Sequence, residues 1–185
     1  MSRLRLQRHP DTPCDYIHSV AAFARREGNQ LWLQFRAIGD TDGIIWPSGR
    51  SDKHGWERQD GLWQHSCFEF FAAARDEPRY FETNFATANQ WAAYDFTGYR
   101  SGMRTVTDVE MVAAIPSVRK NRTELSARLI IPPAFVEKDW QANLTAILEA
   151  KDGTKSYWAL AHAPGPPDFH NRDCFTLSLP APEQP

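Results

Sequence analysis

The sequence from Leu62 to Met103 reads LWQHSCFEFFAAARDEPRYFETNFATANQWAAYDFTGYRSGM, and it decides the fold. Two runs within it, Ser66 to Ala74 and Arg79 to Ala86, are rich in aromatic and apolar residues and are typical of β-strands. The four residues between them, RDEP, have the charges and the proline of a turn. We therefore predict an antiparallel hairpin, followed directly by a third strand from Trp91 to Thr97.

A four-residue loop that pairs Ala74 with Arg79 fixes the register of this hairpin, because each strand can be counted outward from the loop. Glu69 then lies opposite Asn84. Since side chains alternate along a strand, the two faces of the hairpin differ in chemistry. One is a core face of Phe68, Phe70, Phe81 and Phe85, and the other is a polar face of Cys67, Glu69, Glu82 and Asn84.

The polar face has two interpretations. As the outer face of a sandwich it would be solvated, and its polar side chains would need no further explanation. If a second layer covers it, Glu69 and Glu82 need partners, because an unpaired buried charge is very costly. Arg100, which lies beside Tyr99 in the turn after the third strand, is one candidate partner, and a ligand is the other. We treat this region as the candidate site.

The composition bounds the class of protein. A chain of 185 residues suits one domain, which we place at residues 1–185. Its net charge of −2 disfavours a nucleic-acid partner, which usually needs a strongly basic face. Seven Trp, five Tyr and eleven Phe indicate rings that either fill a β core or stack on planar and sugar ligands.

The cysteines and the N-terminal residues bear on location. Cys14, Cys67 and Cys174 are widely scattered, which disfavours a disulfide framework. The first residues, MSRLRLQRHP, lack the apolar run of about 7 to 15 residues that a signal peptide needs, and no segment approaches the length of a membrane span. We therefore expect a cytoplasmic protein without a membrane partner.

The rest of the chain is also rich in strand patterns. These runs are Arg3–Gln7, Val20–Arg26, Gln30–Ala37, Val106–Ile115, Arg122–Ile131, Asn143–Lys151, Lys155–Ala161 and Phe175–Leu179. A short helical turn is predicted between Ala134 and Trp140. Roughly ten closely spaced strands with little helix predict an all-β fold, an antiparallel β-sandwich of the jelly-roll kind. Residues 38–61 are predicted as a long polar loop insert, and residues 180–185 as a C-terminal tail.

Aromatic rings near the hairpin are candidates for stacking on a sugar, whose apolar C–H faces pack on flat rings. Trp63 and Trp91 lie at strand ends beside turns, where such a ring is accessible. The hydroxyls of a sugar need hydrogen-bonding partners such as Glu, Asn and Arg, which the hairpin and its following turn supply. The alternative is that several rings, Tyr94 and Trp158 among them, are core residues.

A proline-rich segment from Ala161 to Asp173 contains His162, Asp168 and His170. Imidazoles and carboxylates in a stiff loop can contact a ligand, hold a divalent metal or form hydrogen bonds to the backbone. The spacing matches no zinc motif, so a metal is the least favoured of these three interpretations. We include the three side chains among the candidate ligand contacts.

Three runs resemble a known family. DGLWQHSCFEFF (60–71), YFETNFATANQWAAYDFTGYRSGM (80–103) and YWALAHAPGPPDFH (157–170) are similar to bacterial DOMON-like proteins related to family 9 carbohydrate-binding modules. The resemblance implies a β-sandwich of the DOMON type, whose relatives bind either sugars or haem in a pocket on one sheet. In the sugar-binding relatives, Trp rings sandwich the sugar while Glu, Asn and Arg side chains hold its hydroxyls.

By residue type and by the hairpin register, the resemblance implies these roles for Trp63, Trp91, Glu69, Glu82, Asn84 and Arg100. We therefore expect non-catalytic binding of a small carbohydrate or carbohydrate-like ligand, with no cofactor. A monosaccharide, an amino sugar or another sugar derivative suits a cytoplasmic protein. The sequence does not predict a particular protein partner.

Two alternatives remain open. In a haem-binding redox module of the DOMON kind, Met103 with His162 or His170 would supply the axial ligands. In a sugar-active enzyme, Glu69 or Glu82 would act as general acid or base. The sequence has no GxSxG, P-loop or GxGxxG motif, so we rank catalysis below binding.

Overall fold

The computed structural model describes residues 3–48 and 55–182, which form thirteen strands and one short helix, α1 (Pro133–Val136). No helix in these ranges is long and apolar enough to cross a membrane. The strands are β1 (Leu4–Arg8), β2 (Ile17–Glu27), β3 (Gln30–Gly39), β4 (Glu57–Arg58), β5 (Cys67–Ala74), β6 (Tyr80–Ala86), β7 (Gln90–Phe96), β8 (Arg104–Thr105), β9 (Glu110–Arg119), β10 (Arg122–Ile130), β11 (Trp140–Glu149), β12 (Lys155–Ala159) and β13 (Leu177–Leu179).

The strands form one curled sheet that folds into two layers. The first layer has the order β1-β2-β3-β10-β9, and the second has the order β4-β7-β6-β5-β11-β12. β1 joins the two layers, because its first residues pair with β2 while Gln7 and Arg8 pair with β12. Among the described strands the pairing is antiparallel, apart from the two-residue pair of β4 with β7. The predicted all-β antiparallel sandwich is confirmed.

The register predicted for the central hairpin is also confirmed. Phe68 pairs with Phe85, and Glu69 pairs with Asn84. β7 continues on the far side of β6, and β11 pairs with the far side of β5. The hairpin is therefore at the centre of the second layer, where neither strand has a free edge. Almost every one of its strand residues is buried, on both faces.

The main core lies between the two layers, where the core face of the hairpin meets the first layer. The ring of Phe68 stacks on Phe35 of β3, with their centroids 5.1 Å apart. β3 alternates buried apolar residues, such as Leu31 and Leu33, with less buried ones. This alternation is expected of a strand with one face on a core.

The predicted insert and tail lie partly outside the described residues, which leave out 49–54 and 183–185. Within the insert, β3 continues to Gly39 and a 3-10 turn follows at Thr41–Gly43. Trp46 stacks on Phe68 with centroids 6.0 Å apart. The insert therefore contributes a ring to the main core.

Phe68→Ala should strongly destabilise the protein, because Phe68 is fully buried and its ring joins the two layers. Truncating a buried Phe typically costs about 3 to 5 kcal/mol. The free energy of unfolding, measured in urea, tests this expectation. Ile115→Ala is the control, because this side chain on β9 is 69% exposed and its loss should change stability by less than about 0.5 kcal/mol. Equal losses in the two variants would contradict the assignment of this core.

Candidate functional site

The polar face of the hairpin is buried. Glu69, Glu82 and Asn84 are 2%, 3% and 0% exposed. The interpretation of this face as a solvated outer surface is therefore wrong, and the alternative of a covered face is correct. Two carboxylates and an amide inside a protein require specific partners.

The covering layer is the segment between β12 and β13, residues 160–176, which we call the covering loop. Phe169 and Phe175 of this loop pack on Phe71 of β5, with ring centroids 6.5 and 6.1 Å apart. Arg172 anchors the loop to the hairpin turn, because its guanidinium donates to the carbonyl oxygens of Ala74 and Glu77 at 2.9 and 2.7 Å. The loop thus forms a second, smaller core on the outer side of the second layer.

A cavity of about 530 Å³ remains between the covering loop and the second layer. This volume lies within the usual range for small-molecule sites, roughly 300 to 1,000 Å³. Its aromatic walls are Trp63, Phe71, Phe96, Tyr157 and Phe169, and its polar groups are Glu69, Glu82, Arg100 and His170. The cavity therefore combines flat apolar rings with ionisable side chains that can form hydrogen bonds.

The carboxylates are held by neutral donors. The hydroxyl of Thr145 on β11 donates to Glu69 at 2.9 Å, and the thiol of Cys67 lies 3.5 Å from the other oxygen of Glu69. The amide nitrogen of Asn84 donates to Glu82 at 2.8 Å. Strand pairing makes Glu69 and Glu82 diagonal neighbours on the same face, which brings their charges close together.

Burial changes the acidity of both groups. Removal from water raises the pKa of Glu69 to about 7. The pKa of Glu82 is raised to about 8, mainly by its removal from water and to a lesser extent by repulsion from Glu69. Both shifts have the direction expected when the charged form loses its hydration. Near neutral pH the pair therefore retains protons, and it can donate hydrogen bonds as well as accept them.

Two buried acceptor atoms on the polar face of the hairpin have no partner among the described residues. They are the second carboxylate oxygen of Glu82, Oε2, and the amide oxygen of Asn84, Oδ1. Leaving a buried polar atom without a hydrogen bond typically costs about 1 to 3 kcal/mol. A ligand that donates hydrogen bonds at this position would recover part of that cost.

The turn after β7 brings Arg100 to the rim of the cavity. Arg100 has a φ of 48°, in the left-handed region that a non-glycine residue rarely adopts. Its backbone N–H donates to the hydroxyl of Tyr80 at 3.3 Å, and its guanidinium donates to Asp168 at 2.8 Å. Tyr99 donates to the other oxygen of Asp168 at 2.7 Å. These bonds join the turn to the covering loop.

At pH 7 the side chain of Asp168 in the covering loop is charged, whereas that of His170 is neutral. Burial acts to raise the pKa of Asp168, but hydrogen bonds from Tyr99 and Arg100 outweigh it and lower that pKa. Burial lowers the pKa of His170 to about 4, so its imidazole is neutral at pH 7. Nδ1 of His170 is 2.7 Å from the hydroxyl of Tyr80, and the ring packs edge-on against Phe71, Tyr80 and Phe96. We assign His170 to the fixed wall of the cavity.

The structure brings most of the predicted site residues together. Five of them line the cavity: Trp63, Glu69, Glu82, Arg100 and His170. Asn84 lies beside Glu82 as a hydrogen-bonding neighbour. Tyr99 and Asp168 belong to the hydrogen-bonded rim.

Two predicted site residues are placed elsewhere. Trp91 lies opposite Phe85, on the core face of the second layer, so the sheet itself separates its ring from the cavity. The expectation that Trp91 pairs with Trp63 around a ligand is therefore corrected.

His162 contacts the edge of the His9 ring, with centroids 4.9 Å apart, and its Nε2 is 2.9 Å from the carbonyl oxygen of Gln7. It belongs to the contact between the covering loop and β1.

Sequence reasoning missed most of the aromatic walls. Phe71 and Phe96 could have been found, because counting along β5 and β7 places them on the same face as Glu69 and Tyr94. Tyr157 lies on β12, which pairs with the far side of β11, and Phe169 lies in an irregular loop. Strand periodicity carries no signal for these last two contacts.

The side chains around the cavity are a poor match for a metal ion or for haem. Within residues 3–48 and 55–182, no group of three or more His, Cys, Asp and Glu side chains is arranged to hold a metal ion. Met103 and His170 line the same cavity, whereas His162 does not. Haem in this cavity would place Glu69 and Glu82 against an apolar macrocycle, which offers no hydrogen bond to the unpartnered oxygen of Glu82. The residues present therefore fit haem poorly.

A second cavity, of about 540 Å³, lies on the outer face of the first layer, between Trp32 and Ile115. None of the predicted site residues lines it. Its charged groups are Arg25 and Arg128, both near the ring of Trp32. The cavity beneath the covering loop is therefore the candidate functional site.

Solved structures share this fold. A proposed carbohydrate-binding protein from Bacteroides uniformis has a TM-score of 0.66 at 14% sequence identity, over 97% of this chain and 85% of that chain. A family 9 carbohydrate-binding module from Caldicellulosiruptor kristjanssonii in complex with glucose has a TM-score of 0.51 at 8% identity, over 95% and 81% of the two chains. A family 9 module from the same organism in complex with cellotriose has a TM-score of 0.55 at 7% identity, over 98% and 84%.

No protein-family model and no curated protein matches the sequence. At these low identities, the structural likeness establishes the fold. The predicted resemblance to family 9 carbohydrate-binding modules is confirmed at that level, whereas membership of the DOMON group stays a prediction.

The stability of the protein should fall as the pH rises from 6.5 to 8. In the folded state Glu69 and Glu82 keep their protons up to about pH 7 and 8, because burial raises the pKa of each carboxyl group. An unfolded chain releases them near the usual pKa of a glutamate in water, which is about 4.3. Unfolding in this range therefore releases protons, and a higher pH favours the unfolded state. Urea unfolding at pH 6.5, 7.25 and 8 measures the effect. His170 acts in the opposite direction below pH 6.5, which is why the range begins there.

The double variant Glu69→Gln/Glu82→Gln should lose most of this pH dependence. Glu110→Gln is the matched control, because Glu110 is an exposed carboxylate on β9, in the other layer. The same slope in the wild type and in the double variant would show that the buried pair does not titrate in this range.

Proposed function

We propose that this protein binds a small carbohydrate or carbohydrate-like ligand, without converting it, in the cavity beneath the covering loop. The observation that carries the proposal is the composition of this cavity. Flat aromatic rings form its walls, and Glu69, Glu82 and Arg100 supply carboxyl and guanidinium groups that form hydrogen bonds. A sugar needs both, because it has apolar C–H faces and a ring of hydroxyls.

Each group has a distinct role in this proposal. Trp63, in a 3-10 turn before β5, is partly buried and packs edge-on against Tyr94, with centroids 5.5 Å apart. Its remaining surface is available for stacking on a sugar ring. Glu82, which lines the cavity, accepts a hydrogen bond from a ligand hydroxyl through its unpartnered oxygen, and Asn84 holds Glu82 in place. Arg100, held at the rim by Asp168, donates to a ligand oxygen through its remaining N–H groups.

The structural neighbours support the same class of ligand. Family 9 modules of the same fold are in complex with glucose and with cellotriose. Both of those ligands are neutral sugars. Their fold and the polar and aromatic composition of this cavity are independent observations, and together they favour sugar binding over the other functions considered.

A sugar-active enzyme is the second candidate. The observation that favours it is the pair of buried carboxyl groups with pKa values of about 7 and 8, since general acids and bases work best near the ambient pH. Consumption of a bound sugar by the wild type, lost in both Glu69→Gln and Glu82→Gln, would favour this function over simple binding.

A thermal-shift screen against neutral monosaccharides and disaccharides tests the proposal. A ligand at a hundred times its dissociation constant stabilises a protein by about 2.7 kcal/mol, which raises the melting temperature of a domain of this size by roughly 5 to 10 °C. Trp63→Ala should weaken a ligand found in this way by about tenfold, because it removes a stacking surface worth roughly 1.4 kcal/mol. Isothermal titration calorimetry measures that loss.

Trp32→Ala is the matched control, because Trp32 lies on the outer face of the other layer, beside Arg128. It should leave the dissociation constant unchanged. Arg100→Ala is the second test, and it should weaken binding without unfolding the protein, since this side chain is half exposed. No response to any sugar, from a protein shown to be folded, would refute the proposed function.

A further inference from the structure

We infer that the cavity prefers ligands that carry a protonated amine beside their hydroxyls, so that an amino sugar binds more tightly than the corresponding neutral sugar. This inference rests on the proposed function, because it concerns the charge of the ligand bound at the same site. It is carried by the charge balance around Glu69 and Glu82.

The two carboxylates lack a cationic partner within the protein. In the part of the chain that the structure describes, neither carboxylate has a Lys, Arg or His nitrogen within 4.0 Å. Arg100 acts on Glu82 from a distance, but its guanidinium donates to Asp168. The other titratable groups that face the pair are Cys67, Tyr80, Tyr157 and His170, none of which carries a positive charge at pH 7. The floor of the cavity is therefore deficient in positive charge.

The two unpartnered atoms on the polar face of the hairpin are both hydrogen-bond acceptors. They belong to Glu82 and Asn84, which are at least nine-tenths buried, and Glu82 lines the cavity. The amide nitrogen of Asn84 donates to one oxygen of Glu82, and the other oxygen has no partner among the described residues. Apart from the protons that the carboxyl pair itself retains, a donor for these atoms can come from the ligand.

An ammonium group satisfies this site better than a hydroxyl does. A hydroxyl donates one hydrogen bond and brings no charge, so the carboxyl pair retains its protons. An ammonium donates up to three and brings the compensating charge, which is worth more inside a cavity with aromatic walls than in water. The rest of an amino sugar keeps the ring faces and hydroxyls that suit Trp63 and Arg100.

Proton release should accompany the binding of an amine. Without a ligand, the pair avoids two uncompensated charges by retaining protons near neutral pH. A cationic ligand stabilises the ionised carboxylates and displaces those protons. A neutral sugar leaves them in place, because it brings no charge. Proton release therefore distinguishes a direct contact of the amine with Glu69 and Glu82 from a contact elsewhere.

Calorimetric titration of the wild-type protein at pH 7 tests the inference without any variant. The ligands are glucosamine and galactosamine, compared with glucose and galactose and with the two N-acetylated amino sugars, which lack the charge. The buffer must be free of amines, so Tris is avoided. At least one amino sugar should bind at least tenfold more tightly than both its neutral parent and its acetylated form. Titration in two buffers of different ionisation enthalpy should show proton release for the amino sugar alone.

Glu69→Gln and Glu82→Gln should each reduce this preference, to about threefold or less in Glu82→Gln. Both variants keep the shape of the side chain and replace an ionisable group by a neutral one, so we expect them to fold. Glu110→Gln, which removes an exposed carboxylate from the other layer, should keep the full preference. A preference that survives in both variants of the buried pair would overturn the inference.

The outcomes separate this inference from the proposed function. If a neutral sugar binds as tightly as its amino counterpart or more tightly, the preference for an amine is refuted and sugar binding stands. If neither class binds the folded protein, the proposed function fails and the inference fails with it. Tighter binding of an amino sugar with proton release supports both.

Discussion

The structure depends on the burial of both faces of the β5–β6 hairpin. A hairpin at the centre of a sandwich layer has one face on the main core, which Phe68, Phe70, Phe81 and Phe85 fill. Its other face would normally be solvated in an antiparallel sheet. Here the covering loop packs aromatic rings on that second face and removes it from water. The same two strands therefore contribute side chains to two separate cores, one on each face of the hairpin.

Burial of the polar face of the hairpin creates the candidate site. A face that carried only apolar residues could be covered completely, as in an ordinary core. Glu69 and Glu82 prevent this, because their carboxylates need hydrogen bonds and lose hydration when they are covered. Thr145, Cys67 and Asn84 supply some of the hydrogen bonds, and raised pKa values reduce the charge. The remaining deficit coincides with a cavity, which is the arrangement expected where polar groups serve a ligand rather than stability.

Much of the fold could be predicted from the sequence, because its signals are local. The RDEP turn fixes the register of the hairpin, and alternation then assigns Glu69, Glu82 and Asn84 to one face. The same logic locates Trp91, although composition and position beside a turn suggested a stacking role. The chain turns between Ala86 and Gln90, so Trp91 lies opposite Phe85 and on the core face. The residue type alone was misleading, whereas strand alternation from Phe85 correctly assigns Trp91 to the core face.

The covering loop could not be placed in this way. Its contacts are made by single side chains of an irregular segment, such as Arg172 to the hairpin turn and Phe169 to Phe71, about a hundred residues apart in sequence. No strand register connects these positions. Whether Glu69 and Glu82 face solvent or a cavity depends on those contacts, so the same hairpin sequence is compatible with either chemistry. Strand alternation tells which side chains share a face, and only long-range packing tells whether that face is a surface or a site.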